Sequence, residues 1–124
     1  MKKLLELLSI RAYLPSHLNV LIKDYFDVRN ENKGVNQNQD HLQAVFAWLC
    51  RAQDANKDGG VAGRYRLDTG WTTSYPETTG YIIPTFFDYY HLTKNSEYRD
   101  RALRMADWLV SIQMDDGAFQ GGVY

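Results

Sequence analysis

Residues 46–61 read FAWLCRAQDANKDGGV, and residues 105–119 read MADWLVSIQMDDGAF. When Trp48 is aligned on Trp108, both stretches show Trp-Leu-x3-Gln followed by an Asp-Gly turn, with two extra residues in the first loop. The repeat period is sixty residues. Self-similarity at a fixed period is typical of helical-repeat architectures, and an Asp-Gly pair after an apolar stretch is a common stop signal for a helix.

Both copies have the apolar spacing of an amphipathic helix. The first predicts a helix from about Asp40 to Asp54, with Asn38 or Asp40 as the N-cap residue. Its expected buried stripe comprises Leu42, Val45, Phe46, Leu49 and Ala52. The second predicts a helix from about Ser96 to Met114, with Ser96 as the N-cap. Its stripe comprises Tyr98, Ala102, Met105, Leu109 and Ile112.

A third helix is predicted in residues 74–90, which read SYPETTGYIIPTFFDYY. Pro76 suits the first helical position because its missing N–H group would be unpaired there in any case. We therefore expect a helix from about Pro76 to Leu92, kinked at Pro84, with Tyr75 as its cap and Glu77 in its second position. No stretch shows convincing period-two alternation, so the predicted class is all-α.

Composition excludes several classes of function. The net charge is −1, and no basic cluster occurs beyond Lys2 and Lys3, so we expect no nucleic-acid partner. Cys50 is the single cysteine and the three histidines are scattered, so we expect neither a metal site nor another cofactor.

No apolar run approaches the roughly 20 residues that span a bilayer, so we expect no membrane span. Residues 1–14 resemble an amphipathic helix rather than a signal peptide, because Glu6 and Arg11 interrupt their apolar run. The expected location is the cytoplasm. We expect one helical domain over residues 1–124, with N-terminal helices and a linker over 1–37 and repeats over 38–124.

The paired helices, with Gln near a helix end and an Asp-Gly-aromatic sequence after it, resemble the repeats of α/α-toroid proteins. This architecture occurs in terpene cyclases, prenyltransferase β-subunits and six-hairpin sugar enzymes. SIQMDDGAF resembles a QW-type motif with Phe119 in place of Trp. The stretches RAQDANKDGGVAGRY, SYPETTGYIIPTFFDY and RALRMADWLVSIQMDDGAFQGG resemble bacterial toroid proteins linked to polysaccharide biosynthesis, some of which carry a delta-aminolevulinic acid dehydratase label. That enzyme is a TIM barrel, so an all-α pattern does not support the label.

The resemblance implies antiparallel helical hairpins from part of a toroid, because the chain has room for only four or five helices. It implies a carbohydrate-related domain of a sugar epimerase, isomerase or hydrolase. The alternative is a noncatalytic helical-repeat module that binds a glycan or a protein. Hairpins that form only part of a ring would leave apolar faces uncovered, so we also expect self-association or a partly exposed core.

Glu77 is the candidate catalytic acid or base, at the start of a helix that faces the cavity in toroid relatives. Its structural alternatives are a capping box with Ser74, which the prolines argue against because they make Tyr75 the cap, and compensation of the helix dipole. The candidate residues for binding a saccharide are Arg64, Tyr65, Trp71, Tyr75 and Tyr81. Arginine and flat aromatic rings can hold a sugar by stacking and bidentate hydrogen bonds, although such aromatics can also simply anchor a long loop.

The repeated glutamines and tryptophans are expected to be structural. The Gln53 and Gln113 amides can satisfy backbone groups of the loops that follow them. Trp48 and Trp108 are expected to pack between helices.

Overall fold

A computed structural model describes Pro15, residues 17–19, Ile22 and residues 38–121. The described part is mostly helical, as predicted. Its complete elements are α1 (Asn38–Asp54), β1 (Tyr65–Arg66), β2 (Gly70–Trp71), α2 (Pro76–Thr93) and α3 (Ser96–Ile112). The few described residues before Asn38 are also helical. The prediction for residues 1–14, and most of that for residues 1–37, lies outside the described residues.

The start of α2 follows from its proline, as predicted. Tyr75 is the N-cap in an extended conformation, Pro76 is the first helical residue, and Glu77 is the second. The alternative of a capping box is wrong. No side chain caps this helix, and the Ser74 hydroxyl donates instead to Asp58 Oδ1. Pro84 lies inside the helix.

A two-residue turn joins α2 to α3. Lys94 adopts the left-handed conformation with φ 59°, and its N–H group donates to the carbonyl of Tyr90. The prediction of Ser96 as the cap of α3 is wrong by one residue. Asn95 is the N-cap, because its side-chain oxygen accepts the N–H group of Glu97 at 3.0 Å.

The core lies where α1, α2 and α3 meet. Phe46 stacks on Tyr89 with ring centroids 3.6 Å apart, and Tyr98 meets both rings edge to face. Phe86 and Met105 are fully buried beside them. An aromatic cluster of this kind combines large buried area with favourable ring geometry.

The predicted stripe of α1 is only partly correct. Phe46 and Ala52 are buried, but Leu42 and Val45 are 40% and 52% exposed. The buried residues lie in the C-terminal half of α1, whose aromatic contacts reach α2 and α3. Leu42 and Val45 lie in its first two turns, outside the cluster around Phe46.

The connection between α1 and α2 contains strands, which the sequence did not predict. Tyr65–Arg66 pairs antiparallel with Gly70–Trp71. A further antiparallel bridge joins Ala62 to Ser74. Strands of two residues are too short to show period-two alternation in a sequence. This ribbon carries two of the predicted site residues, Tyr65 and Trp71.

Candidate functional site

The two Asp-Gly turns are structural counterparts as well as sequence counterparts. In the first, Gln53 Nε2 donates to the Gly59 carbonyl at 3.1 Å, and Asp58 Oδ1 accepts the N–H group of Gly60 at 2.9 Å. Gly59 needs its glycine because its φ is +100°.

In the second turn, Gln113 Nε2 donates to the Gly117 carbonyl at 2.8 Å, and Asp116 Oδ1 accepts the N–H group of Ala118 at 3.0 Å. Gly117 has a φ of +84°. Both glutamines therefore satisfy a carbonyl of the following loop, as the sequence predicted.

The first turn leads into an extended segment that positions the start of α2. The N–H group of Tyr75 donates to the Val61 carbonyl at 2.9 Å, and the N–H group of Gly63 donates to the Thr73 carbonyl at 3.1 Å. Val61 N also donates to Thr79 Oγ1 at 2.9 Å. These bonds hold the first turn of α2, with Glu77, on a buried strand pair.

A groove of about 490 Å³ opens beside this first turn. Side chains and backbone of α2, α3 and the segment after the second Asp-Gly turn line it. Its lining residues are Tyr75, Pro76, Glu77, Gly80, Tyr81, Leu109, Phe119, Gln120 and Gly121. Gly80 lies close to Leu109, because a Cβ added there would be in ordinary contact with Leu109 Cδ1 at 3.9 Å.

Glu77 and Tyr75 form a polar pair in the groove. The Tyr75 hydroxyl donates to Glu77 Oε2 at 3.1 Å. This hydrogen bond is the main cause that raises the pKa of Tyr75, while the charge of Arg64 acts weakly in the opposite direction. At pH 7 the phenol is therefore a proton donor, and the remaining lone pairs of Glu77 can accept hydroxyl groups from a ligand.

The structure divides the predicted site residues between two places. Tyr75, Glu77 and Tyr81 line the groove together. Arg64 is exposed and lies outside the lining, although its charge reaches the Tyr75 phenol.

The other two predicted residues belong to a separate aromatic cluster. Tyr65 and Trp71 lie 4.9 Å apart, and Trp48 packs against both at 5.7 and 4.6 Å between ring centroids. His17 Nε2 lies 3.0 Å from the Tyr65 hydroxyl. Within the described residues, Trp48 therefore packs against the β-ribbon and not between helices, which corrects the expectation from the sequence.

Trp108 also packs against a loop, although it is buried as expected. It is only 8% exposed, and its ring lies so close to Gly60 that an added Cβ would be 2.7 Å from two of its carbon atoms. The Asp-Gly loop therefore folds over the indole ring.

Six lining residues were not among the predicted site residues: Pro76, Gly80, Leu109, Phe119, Gln120 and Gly121. Phe119 carried a usable signal, because it occupies the aromatic position of the QW-like motif. The place of Phe119 in the repeat is a second signal that it lies near the start of a helix. Phe119 corresponds to Val61 in the first copy, and Val61 lies directly on the start of α2.

Among the described residues, no group of three or more His, Cys, Asp or Glu side chains is placed to hold a metal ion. None of the described helices combines the length and apolarity needed to cross a membrane. Glu77 is the only carboxylate among the described residues that line the groove.

Comparisons with protein-family models, with curated proteins and with solved structures found no match to this chain. The toroid resemblance therefore stays a prediction that rests on the repeat itself.

Proposed function

We propose that the chain is a noncatalytic helical-repeat module that binds a saccharide in the groove at the start of α2. The observation that carries this proposal is the meeting of two tyrosines, one phenylalanine and one carboxylate around a single concave surface. Small-molecule sites commonly combine apolar and aromatic walls with a few polar groups that fix orientation.

The aromatic rings supply the stacking surface. Tyr81 is 75% exposed and Phe119 is 43% exposed, so both rings can be covered by a ligand. An exposed ring gains favourable apolar contact when the C–H face of a sugar lies on it. Tyr75, which is half-buried and tied to Glu77, provides a more fixed wall.

Glu77 supplies the directional contact. Its carboxylate is exposed, and one oxygen already accepts the Tyr75 hydroxyl. Hydrogen bonds from sugar hydroxyls to an ionised carboxylate are stronger than neutral ones. Arg64 lies outside the groove lining, and its charge acts only weakly on the Tyr75 phenol.

Binding is favoured over catalysis because the groove offers one carboxylate. Glycoside hydrolysis generally uses two carboxyl groups that flank the scissile bond. An epimerase or isomerase also needs an acid or base opposite the first. Among the described lining residues, only Tyr75 could share such a role with Glu77, but its hydroxyl already donates to Glu77 Oε2 at 3.1 Å and therefore lies beside the carboxylate rather than opposite it.

Titration with uronic acids, N-acetylhexosamines and neutral hexoses, followed by NMR, tests this proposal. We expect contiguous shifts at Tyr75, Glu77, Tyr81 and Phe119. Glu77→Gln keeps the shape but removes the charge, so it should weaken the response with a nearly unchanged thermal midpoint.

Two further variants sharpen the test. Tyr81→Ala removes a largely exposed ring and should also weaken binding. Asp88→Asn makes the same charge change as Glu77→Gln farther along α2, outside the groove, and should leave binding unchanged. If no sugar class shifts these residues and Glu77→Gln only lowers stability, Glu77 is a structural residue and the proposal fails.

A further inference from the structure

The two copies of the repeat differ in what covers the segment after the Asp-Gly turn. In the first copy, residues 61 and 62 are covered by the segment that enters α2, and Gly63, although exposed, is hydrogen-bonded to that segment. Val61 and Ala62 are 1% and 4% exposed, and the strand pair is closed by hydrogen bonds to Thr73 and Tyr75. The Ser74 hydroxyl adds a bond of 2.8 Å to Asp58 of the turn.

In the second copy, the corresponding residues Phe119, Gln120 and Gly121 are exposed. Within the described part of the chain, their backbone groups form no hydrogen bond. The Asp116 carboxylate is exposed too, and its Oδ1 holds only the N–H group of Ala118. The turn that organises this segment is nevertheless formed, so the unpaired edge is already in place.

We propose that residues 119–121 are a docking edge for a peptide segment of a partner chain that is extended up to its aromatic residue and begins a helical turn at its proline. The first copy defines the chemistry of this segment. It has a serine, an aromatic residue and a proline in succession, with a threonine three residues after the proline, as in Ser74-Tyr75-Pro76 and Thr79. An edge with free N–H and C=O groups is a template for strand addition.

Four contacts follow from the correspondence of the copies. The aromatic residue of the partner donates its N–H group to the Phe119 carbonyl, and Gly121 N donates to a partner carbonyl. The partner serine donates to Asp116. The Phe119 N–H group donates to the partner threonine hydroxyl, as Val61 N does to Thr79.

One difference between the copies limits the fit. The first turn has Gly60 where the second has Ala118. A Cβ at Gly60 would lie 2.8 Å from Ser74 Cβ, which is closer than carbon atoms approach in proteins. A segment that docks on the second copy in the same register must therefore shift around the Ala118 methyl group until the two carbon atoms reach ordinary contact distance, 3.4 Å or more.

Docking would affect the saccharide groove without depending on it. Phe119, Gln120 and Gly121 form one wall of the groove, so a bound segment and a sugar should compete. The peptide contacts use the backbone of that wall and Asp116, whereas the sugar contacts use Glu77. Glu77→Gln should therefore weaken sugar binding and leave peptide binding intact, which separates failure of one proposal from failure of the other.

The test is NMR titration of the full chain with a synthetic peptide of residues 72–82, TTSYPETTGYI. We expect shifts of the Phe119 and Gly121 amides. A peptide N-methylated at the tyrosine loses the donor to Phe119 and should bind about tenfold more weakly. The matched control is N-methylated at the serine, whose N–H group points away from the edge in this register, and should bind like the unmodified peptide.

Ala118→Gly makes the second turn a copy of the first and should tighten peptide binding several-fold. The proposal is overturned if the Phe119 and Gly121 amides do not move at millimolar peptide. It is also overturned if the two N-methylated peptides bind equally, or if Ala118→Gly leaves the affinity unchanged.

Discussion

Gln53 and Arg101 hold each other through both ends of the Gln53 amide. Gln53 Nε2 donates to the Arg101 carbonyl at 3.0 Å, and Arg101 Nη1 donates back to Gln53 Oε1 at 3.0 Å. The same Nε2 also donates to the Gly59 carbonyl. One side chain, only 2% exposed, thus joins the end of α1, the first Asp-Gly turn and the first turns of α3.

Gln53→Ala should lower the free energy of unfolding by about 2 to 3 kcal/mol, because it leaves buried carbonyl groups without donors. Gln113→Ala is the matched control in the second copy. Gln113 is exposed and makes a single bond, to Gly117, so its loss should cost less than about 1 kcal/mol. Urea denaturation of both variants measures the difference. Equal losses of unfolding free energy would show that the hydrogen bonds between Gln53 and Arg101 contribute nothing to stability.

Trp108→Ala should destabilise the fold by about 3 to 5 kcal/mol, the range for truncation of a large buried aromatic side chain. Trp48→Ala should cost clearly less, because Trp48 is 43% exposed and packs only against the β-ribbon and neighbouring residues. Chemical denaturation monitored by circular dichroism compares them. A Trp108 variant with an unchanged midpoint would contradict the described packing of its ring.

Gly60→Ala should be strongly destabilising although its backbone does not require glycine. Its Cβ would lie 2.7 Å from Trp108 and 2.8 Å from Ser74, so the loop must move off the indole ring. Gly121→Ala is the control, because a Cβ there meets nothing within 4 Å. Thermal unfolding should show a much lower midpoint for Gly60→Ala than for Gly121→Ala. Comparable midpoints would mean that the loop accommodates the added methyl group with little loss of stability.

The helices α1, α2 and α3 could be predicted because each is encoded locally. Pro76 fixes the first position of α2 by its own backbone geometry, so this boundary could be predicted from neighbouring residues alone. The two glutamines were assigned to loop carbonyls because the same residue precedes the same turn twice. Such features depend on neighbours in sequence.

The groove and the hydrogen bonds between Gln53 and Arg101 could be predicted only in part, since they depend on contacts between residues far apart in the sequence. The approach of Arg101 to Gln53 joins residues 48 positions apart, and no spacing rule indicates it. Tyr65 and Trp71 carry the same ring chemistry as Tyr75 and Tyr81, but a ribbon of two-residue strands turns them toward Trp48 instead of the groove. Residue type indicated the chemistry, and the tertiary fold decided which rings meet.

Acid should weaken the fold through Asp54. Arg101 donates two hydrogen bonds to this carboxylate, at 2.8 and 3.0 Å, and they lower the pKa of Asp54 against a smaller opposing effect of burial. Because the pKa is lower in the folded state, the unfolded chain takes up the proton first. The stabilisation is thus present above pH about 4 and is lost as the pH falls through the folded pKa.

Asp54→Asn should lower stability at pH 7 and lose less stability than the parent chain on acidification. The effect should be modest, because the Asp54 side chain is 59% exposed. Asp88→Asn, whose carboxylate makes no hydrogen bond within the described residues, should follow the parent profile. Urea denaturation between pH 7 and pH 3 provides the measurement, and parallel curves for the Asp54 variant and the parent would refute the coupling.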